Sequence, residues 1–379
     1  MMVQLSKNKK MQWKRFFIGS VLCGLGGWTT AQASFTQESS PAYELNVQAK
    51  QAEQQLIQAF SKLNQGALPQ AIVQLEKLVQ AYPNYHLARL ILAEFRLIQA
   101  GSFTALKRLR QKSSVQQLLA EAKTRWQYFQ TPSLSEHLLE EYIWKVGQTP
   151  FVVLVNLKEN RLYLYQKQAE NKLKLVESLY ITFGKKGFGK RREGDKRTPI
   201  GVYKIDNWIP DDELPELYGV GALTLDYPNE WDRFKGRTGS GIWLHGTPRD
   251  IFARAPLDSR GCVVLNNHAM LRLAKQYGLQ KHTPVLLVAD DRHHSMEAGQ
   301  DKDALILSVK HWLQKKVGKD ALQKVWSEVT IFRYPAEEGM AYVQLPAAMK
   351  HQRYFWQKQG EAWQLADLVP PSRQLTMRK

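Results

Sequence analysis

Two residues in the C-terminal half of the sequence, His245 and Cys262, have the types and spacing needed for thiol chemistry. A thiol attacks a carbonyl carbon as the thiolate, and an ordinary cysteine with a pKa of about 8.5 ionises only slightly at neutral pH. A base within hydrogen-bond reach overcomes this, and histidine is the usual choice. Ser259, Arg260 and Gly261 precede the cysteine, and glycine at such a position lets backbone N–H groups approach a developing oxyanion. The pattern predicts a cysteine nucleophile with a histidine base.

A buried structural cysteine beside an unrelated histidine is the alternative interpretation of the same pair. Two observations argue against it. Polar and charged residues lie on the N-terminal side of Cys262, which is unusual for a core thiol. The sequence has only one other cysteine, Cys23, and it lies in a segment with the features of an export signal. An unpaired thiol without a role is a liability in an oxidising compartment.

The export signal is predicted for residues 1–33. A basic stretch, KNKKMQWKR, is followed by a short apolar run, FFIGSVLCGLGGW, and by AQA ending at Ala33. The apolar run is short for a membrane span of about 20 residues, so a cleaved signal is favoured over an uncleaved anchor. A lipoprotein signal at Cys23 is disfavoured, because bulky Leu22 stands where a small residue is expected. Cleavage after Ala33 would leave Cys262 as the sole cysteine.

The charge of the chain limits its partners. Its 379 residues include 53 Lys and Arg against 35 Asp and Glu, a formal net charge of +18, which favours an anionic partner. No zinc-finger spacing, phosphate-binding loop or RNA-binding aromatic motif accompanies that charge. Nucleic acid is therefore not the expected partner.

The chain changes character along its length, which predicts a multidomain protein. Residues 34–147 show Leu and Ala at helical spacing and predict an all-α region. Residues 148–291 contain short strand-like segments separated by Gly-rich and charged loops, which predict a mostly β domain. Residues 292–303 are interpreted as a linker. Residues 304–379 predict a small α+β domain, with a helix at 304–317 and strands at 326–334 and 341–345, followed by a closing hairpin.

The helical region contains a weak sequence repeat with a period of 34 residues, called the 34-residue echo below. Ala59, Gly66 and Pro83 fall at the spacing of a tetratricopeptide-like repeat, and Ala93 lies 34 residues after Ala59. A plain helical bundle with a Leu/Ala core explains the pattern equally well. Either form is expected to serve as a docking or dimerisation module, since no cluster of chemistry-bearing residues lies in it.

Three ordered motifs carry a family resemblance. The stretch HGTP…SRGCVVLNN, which begins at His245, resembles the signature of the L,D-transpeptidase catalytic (YkuD-type) domain. Upstream, GDKRTPIGVYKI (Gly194–Ile205) is similar to a second block of that family, and YGVGALTLDYPN (Tyr218–Asn229) is similar to a third. The resemblance covers about residues 151–291 and implies the mostly β fold of that family. The C-terminal region faintly resembles the NTF2-like domain that accompanies some members.

The resemblance implies roles for individual residues. Cys262 would be the nucleophile, His245 the general base, Gly261 (with Cys262 itself) a source of oxyanion-hole N–H groups, and Ser259 a residue that shapes the loop. The residues expected to contact substrate are Arg260, Gly246, Tyr227 and Asn267. Thr198, Pro199 and Gly201 would lie near the site in mainly structural roles. No metal or organic cofactor is implied.

Arg260 departs from the family pattern, because most members carry histidine there. A guanidinium cannot act as a base near neutral pH, although it can bind a carboxylate through two hydrogen bonds. A solvent-facing loop cation is the alternative interpretation. The Ser-Arg-Gly-Cys variant resembles a branch that includes hydrolases of stem peptides and of wall-linked lipoprotein.

The expected function is acyl transfer on peptidoglycan stem peptides in the periplasm, at the bond between an L-centre and D-Ala, as L,D-transpeptidase or L,D-carboxypeptidase. Release of wall-linked lipoprotein and non-catalytic wall binding are the alternatives. A papain-type protease is disfavoured, because in that class cysteine precedes histidine, whereas here His245 precedes Cys262 by 17 positions.

Overall fold

The computed structural model of the protein describes residues 41–131, 135–168, 172–290, 298–335 and 337–368. The predicted signal at residues 1–33 lies outside these ranges. Within them, no helix is both long enough and apolar enough to cross a membrane.

The N-terminal part of the described chain is helical, as the Leu/Ala spacing predicts. Its helices are α1 (Pro41–Asn64), α2 (Leu68–Ala81), α3 (His86–Gln99), α4 (Phe103–Arg110), α5 (Ser113–Gln130) and α6 (Ser135–Tyr142). Gly66 has a φ of +78° and turns the chain between α1 and α2. Ala59 is fully buried at the helix contact, but Ala93, its counterpart in the 34-residue echo, is exposed. The second copy of the repeat therefore lacks the buried small residue of the first.

A mixed eight-stranded sheet forms the centre of the molecule. Its members are β2 (Phe151–Asn156), β3 (Arg161–Lys167), β4 (Leu173–Tyr180), β6 (Gly201–Pro210), β7 (Gly221–Leu225), β8 (Trp243–His245), β10 (Val263–Val264) and β11 (Pro284–Val288). The strand order is β10-β8-β7-β6-β11-β2-β3-β4. Val153 and Val155 face one apolar core and Val152 and Leu154 face another. Burial of both faces explains why β2 is a continuous apolar run rather than an alternating one.

Shorter elements surround the end of the sheet that carries the candidate site. They are β5 (Phe183–Gly184) paired in parallel with β9 (Leu257–Ser259), α7 (Glu230–Phe234), and α8 (Asn267–Leu271), which is continued by a π-helical turn at Arg272–Gln276. Helical structure in this region therefore runs from Asn267 to Gln276.

The C-terminal part is α+β in the described residues. It contains α9 (Ala298–Val317), α10 (Lys319–Glu328), β12 (Thr330–Arg333), β13 (Met340–Gln344), β14 (Arg353–Gln359) and β15 (Ala362–Leu365). The predicted strand at 326–334 is wrong at its start, because α10 continues through Glu328. The predicted linker at 292–303 is also too long, because α9 begins at Ala298.

The C-terminal sheet includes a strand from far upstream. β1 (Ile143–Lys145) pairs antiparallel with β12, so the sheet order is β1-β12-β13-β14-β15. The residues just before the predicted catalytic domain therefore complete the sheet that follows it. The NTF2-like character of this part stays a prediction.

The two sheets pack against each other through a shared apolar layer. Leu154 and Leu286 of the central sheet share one core cluster with Phe332 and Tyr342 of the C-terminal sheet. The other face of the C-terminal sheet is covered by α9. The described residues from Pro41 onward thus belong to one compact unit.

Candidate active site

Two neighbouring parallel strands place His245 and Cys262 together. β10 pairs with β8 so that Val263 lies opposite Leu244 and Val264 lies opposite His245. Leu244 and Val263 both point into the core beneath the sheet. Side chains alternate along a strand, so His245 and Cys262, the residue just before β10, lie on the opposite face. The structure therefore brings together the pair predicted from the sequence.

His245 is held in one tautomer by the backbone. Its side chain is buried, and Nδ1 lies 2.7 Å from the carbonyl oxygen of Gly246. A carbonyl only accepts hydrogen bonds, so Nδ1 carries the proton and Nε2 carries a free lone pair. Burial lowers the pKa of His245 to about 4, and the nearby charge of Arg254 acts in the same direction. The imidazole is therefore neutral near pH 7 and competent to accept a proton.

Cys262 is half-buried, and its Sγ donates to the carbonyl oxygen of Gly241 at 3.3 Å. Burial raises the pKa of the Cys262 thiol, whereas the backbone N–H of Trp243 and the charges of Arg254 and Lys190 act against that rise. The resting pair at neutral pH is a thiol beside a neutral imidazole. The proton must then leave sulfur as sulfur attacks, which is general-base activation of a nucleophile.

An aromatic side chain borders the pair. The ring of Tyr218 meets the His245 ring edge-on at 4.9 Å between centroids and lies 5.0 Å from the Trp243 ring. Burial raises the pKa of Tyr218, the charge on Cys262 adds to that rise, and Arg260 opposes it. Tyr218 therefore lies in the electrostatic environment of both the nucleophile and Arg260.

The turn before the nucleophile is built on Ser259. Its Oγ accepts a hydrogen bond from the N–H of Gly261 at 3.0 Å and donates to the carbonyl oxygen of Cys262 at 2.6 Å. This agrees with the expected loop-shaping role of Ser259. The Gly261 N–H is thereby engaged, so its predicted place in an oxyanion hole does not fit this structure. The role predicted for the Cys262 N–H stays a prediction.

Gly261 is required at its position for steric reasons. Its φ is +132°, and a Cβ added there would lie 2.8 Å from the carbonyl oxygen of Arg197. The residue after Arg197 in sequence, Thr198, is fully buried and donates through Oγ1 to the Gly261 carbonyl oxygen at 2.9 Å. The Thr-Pro block predicted to lie near the site is therefore in direct contact with the nucleophile turn.

Asn267 and Gly246, both predicted to bind substrate, instead hold the backbone segments around His245. The Oδ1 atom of Asn267 accepts from the N–H groups of Thr247 at 3.1 Å and Val220 at 3.3 Å. A Cβ on Gly246 would lie 2.1 Å from that oxygen, so glycine is needed where the strand carrying His245 ends. Asn267 and Gly246 thus position the loops around the base.

Tyr227 also lies beneath the site rather than in it. Its side chain is buried, and its hydroxyl donates to the carbonyl oxygen of Thr238 at 3.1 Å. Thr238 belongs to the loop that leads to β8. This arrangement does not support the prediction that Tyr227 binds substrate directly, because its hydroxyl is already used to hold that loop.

Arg260 is exposed and forms no ion pair with the described residues. Its position agrees both with a substrate-binding cation and with a solvent-facing one.

The loop between the base and the nucleophile is fixed by the helical region, which sequence reasoning missed. Asn84 donates through Nδ2 to the Arg249 carbonyl oxygen, and its own carbonyl oxygen accepts from the Phe252 N–H, both at 3.1 Å. The Phe252 ring lies 4.4 Å from the Tyr85 ring. Phe252 is the one aromatic residue in the loop at 247–258, and it is the signal that the sequence offers for this contact. The helical region thus contributes to the geometry of the site.

The segment that carries this site matches a known domain family. Residues 150–287 match the family model of YkuD, the L,D-transpeptidase catalytic domain. The matched segment contains both His245 and Cys262.

Curated proteins of similar sequence match only part of the chain. Over 132 residues the chain is 29% identical to the putative L,D-transpeptidase YafK of Escherichia coli K12. The aligned region covers 35% of this chain and 48% of YafK. The chain therefore spans about half the length of the curated relatives it matches.

Two solved structures are similar to a larger share of this chain than YafK is. Bd1075 of Bdellovibrio bacteriovorus is 22% identical with a TM-score of 0.46, covering 59% of this chain and 95% of that one. The helical cell shape determining protein Pgp2 of Campylobacter jejuni is 21% identical with a TM-score of 0.40, covering 62% of this chain and 91% of that one.

Proposed function

We propose that the protein is a periplasmic cysteine acyl-transfer enzyme that acts on peptidoglycan stem peptides at the bond between an L-centre and D-Ala. One observation carries the proposal. Inside the segment that matches the YkuD family model, His245 and Cys262 lie on one face of paired strands, and the free Nε2 lone pair of His245 makes it a base.

The first half of the reaction follows from the protonation states. The Cys262 Sγ forms a bond to the carbonyl carbon of the L-centre while its proton passes to Nε2 of His245. The imidazolium then donates that proton to the D-Ala nitrogen as the carbon–nitrogen bond breaks. D-Ala leaves and a thioester remains on Cys262. Burial of His245 favours return of the proton, because it disfavours the charged ring.

The second half depends on the acceptor. Water attacking the thioester with His245 as base gives a carboxypeptidase, and an amine of a second stem gives a transpeptidase. Either attack restores the neutral thiol–imidazole pair. The two outcomes share every residue described above.

Purified mature protein incubated with tetrapeptide muropeptides, with and without acceptor strands, tests the proposal. We expect release of D-Ala with formation of tripeptides or of 3–3 linked dimers, and loss of both in the Cys262→Ala variant. Undiminished product with Cys262→Ala would overturn the proposed nucleophile. Binding to sacculi without any product would instead support a wall-binding module.

Export is part of the proposal, because stem peptides in the wall lie outside the cytoplasmic membrane. Cell fractionation with an antibody to the chain tests it. The expected result is mature protein, shortened at Ala33, in the periplasmic fraction.

A further inference from the structure

A strongly basic segment lies beside the nucleophile. Residues 185–197 contain seven Lys and Arg against two acidic residues. We call the exposed cations of this segment together with Arg260 the cationic rim. Its members are Lys185, Lys186, Arg191, Arg192, Lys196, Arg197 and Arg260.

One carboxylate organises this segment. Asp195 accepts hydrogen bonds from the backbone N–H groups of Arg191 at 2.8 Å, Arg192 at 3.0 Å and Arg197 at 3.1 Å, and from the Lys190 ammonium at 2.9 Å. Burial alone would raise the pKa of Asp195, but these donors hold it well below its usual range. The ionised Asp195 carboxylate therefore fixes the backbone of the segment through these N–H groups, while the guanidinium groups of Arg191 and Arg192 stay without an ion pair among the described residues.

The segment is joined directly to the nucleophile turn. The N–H of Lys185 donates to the Ser259 carbonyl oxygen at 2.8 Å, and Thr198 bonds to the Gly261 carbonyl oxygen at the other end of the segment. The two ends of the cationic rim are thus tied to the residues on either side of Arg260. The rim is therefore attached at both ends to the turn that carries Arg260 and Cys262.

The charges of the rim are poorly compensated. Among the described residues Arg191, Arg192 and Arg260 form no ion pair. Arg191 and Arg192 line an open cavity of about 800 Å³ together with Lys190, Lys235 and Arg237. Glu337 is the acidic residue of that lining, and it is already paired with Arg237 at 2.8 Å. The cavity therefore presents unpaired guanidinium groups to solvent.

We propose that the cationic rim binds free carboxylates of an acidic peptide substrate and selects such peptides over forms whose carboxylates are neutralised. The identity of the peptide as a wall stem peptide rests on the function proposed above. Guanidinium groups bind carboxylates through two parallel hydrogen bonds, whereas an amide offers only one acceptor oxygen and no charge. Arg191 and Arg192 are the principal contributors, because both are free and both face the cavity.

The test compares two synthetic tetrapeptides, L-Ala-γ-D-Glu-diaminopimelate-D-Ala with free carboxylates and the same peptide with its D-Glu and diaminopimelate carboxylates amidated. Binding is measured calorimetrically with full-length mature protein carrying Cys262→Ala, so that no turnover occurs. The rim variant adds Arg191→Gln and Arg192→Gln, which keep the backbone N–H groups that Asp195 needs. A matched control adds Lys174→Gln and Lys315→Gln, two exposed cations outside the rim.

We expect the free-carboxylate peptide to bind at least about tenfold more tightly than the amidated one, as for one bidentate charge pair. The preference should largely disappear in the rim variant and persist in the control. Equal binding of the two peptides, or equal loss of preference in the control, would overturn the inference. Release of D-Ala by the Cys262-containing protein is measured separately. No release with the binding preference intact would overturn the proposed function alone, and release without preference would overturn the rim alone.

Discussion

The hydroxyl of Thr198 connects two segments on which the nucleophile depends: it donates to the Gly261 carbonyl oxygen at 2.9 Å and accepts from the Gly184 N–H at 2.9 Å. Thr198 is fully buried, so neither partner has water as an alternative. The Gly-Asp-x-x-Thr-Pro block thus has two functions in this chain. Asp195 orders the basic segment, and Thr198 attaches it to the turn that presents Cys262.

Replacing Thr198 with Val tests this attachment. The variant keeps the shape of the side chain but leaves the Gly184 N–H and the Gly261 carbonyl unsatisfied, which should cost about 1–3 kcal/mol of unfolding free energy. The rate of D-Ala release should also fall, because the turn before Cys262 loses its support. Urea unfolding and product assays measure the two effects. Thr198→Ser keeps the hydroxyl and should retain most of both; equal losses in the two variants would show that the methyl group matters instead.

The pH dependence of Cys262 alkylation tests its protonation state. Because burial raises the pKa of Cys262 and lowers that of His245 to about 4, no thiolate–imidazolium pair should exist between pH 5 and 8. A raised thiol pKa means that the protonated form persists to higher pH. The rate of Cys262 alkylation by iodoacetamide should therefore increase continuously to above pH 9. Mass spectrometry of the alkylated protein measures this rate. A plateau of high reactivity below pH 7 would contradict this assignment.

His245→Asn should remove the general base without removing the nucleophile. Formation of the thioester from a tetrapeptide substrate should slow by about 10² to 10⁴-fold, the range for loss of general-base catalysis. Intact-protein mass spectrometry after rapid quenching follows the acylated species. His311→Asn, at an exposed position in α9, is the matched control and should acylate normally. An unchanged rate in His245→Asn would mean that another group takes the proton.

Phe252→Ala tests the contact between the helical region and the active-site loop. Phe252 is 5% exposed and packs on Tyr85, so the substitution should cost about 3–5 kcal/mol as a buried Phe-to-Ala change. D-Ala release should fall as well, since the loop between His245 and Cys262 loosens. Phe103→Ala removes a ring that is 64% exposed and should change neither quantity much. Similar stabilities for the two variants would refute the predicted contribution of this contact.

Glu53→Gln tests the ionic contact between the helical region and the central sheet. The Glu53 carboxylate of α1 receives two hydrogen bonds from Arg161 of β3, at 2.9 and 3.0 Å. Removing its charge leaves buried Arg161 and Arg125 without their shared partner, which should cost about 3–5 kcal/mol at pH 7. Glu76→Gln breaks an exposed pair with Arg96 and should cost less than about 1 kcal/mol.

The difference in unfolding free energy between wild type and Glu53→Gln should depend on pH in a direction that the pKa of Glu53 determines. Burial would raise the pKa of Glu53, but Arg161 and Arg125 outweigh it and lower the pKa to about 2. A depressed carboxyl pKa contributes stability above the ordinary Glu value of 4.5, and that stability is lost as the pH falls toward 2. Wild type and Glu53→Gln should therefore converge in unfolding free energy between pH 4.5 and 2. A constant difference across that range would mean that Glu53 acts through packing rather than charge.

The sequence by itself determined the parts of this protein that depend on short-range pattern. The motifs around His245 and Cys262 and the order of the two residues identify both of them, whereas the pairing of β8 with β10 that places them on one face is seen only in the structure. The basic run at 185–197 and the apolar strand at 151–156 are equally local. A local motif or a run of one residue type is enough to recognise each of these features, because only residues that are close in sequence define it.

Only the tertiary structure decided the contacts between distant segments. β1 pairs with β12 although 186 to 189 positions separate the paired residues, and Phe252 packs beside Tyr85 of a different region. Tyr227 and Asn267 have side chains suited to substrate binding, yet their hydrogen bonds are used to hold loops. Such roles depend on which groups remain unpaired after packing. Pairing across long separations is selected by complementary buried surfaces, and no local pattern in the chain specifies those.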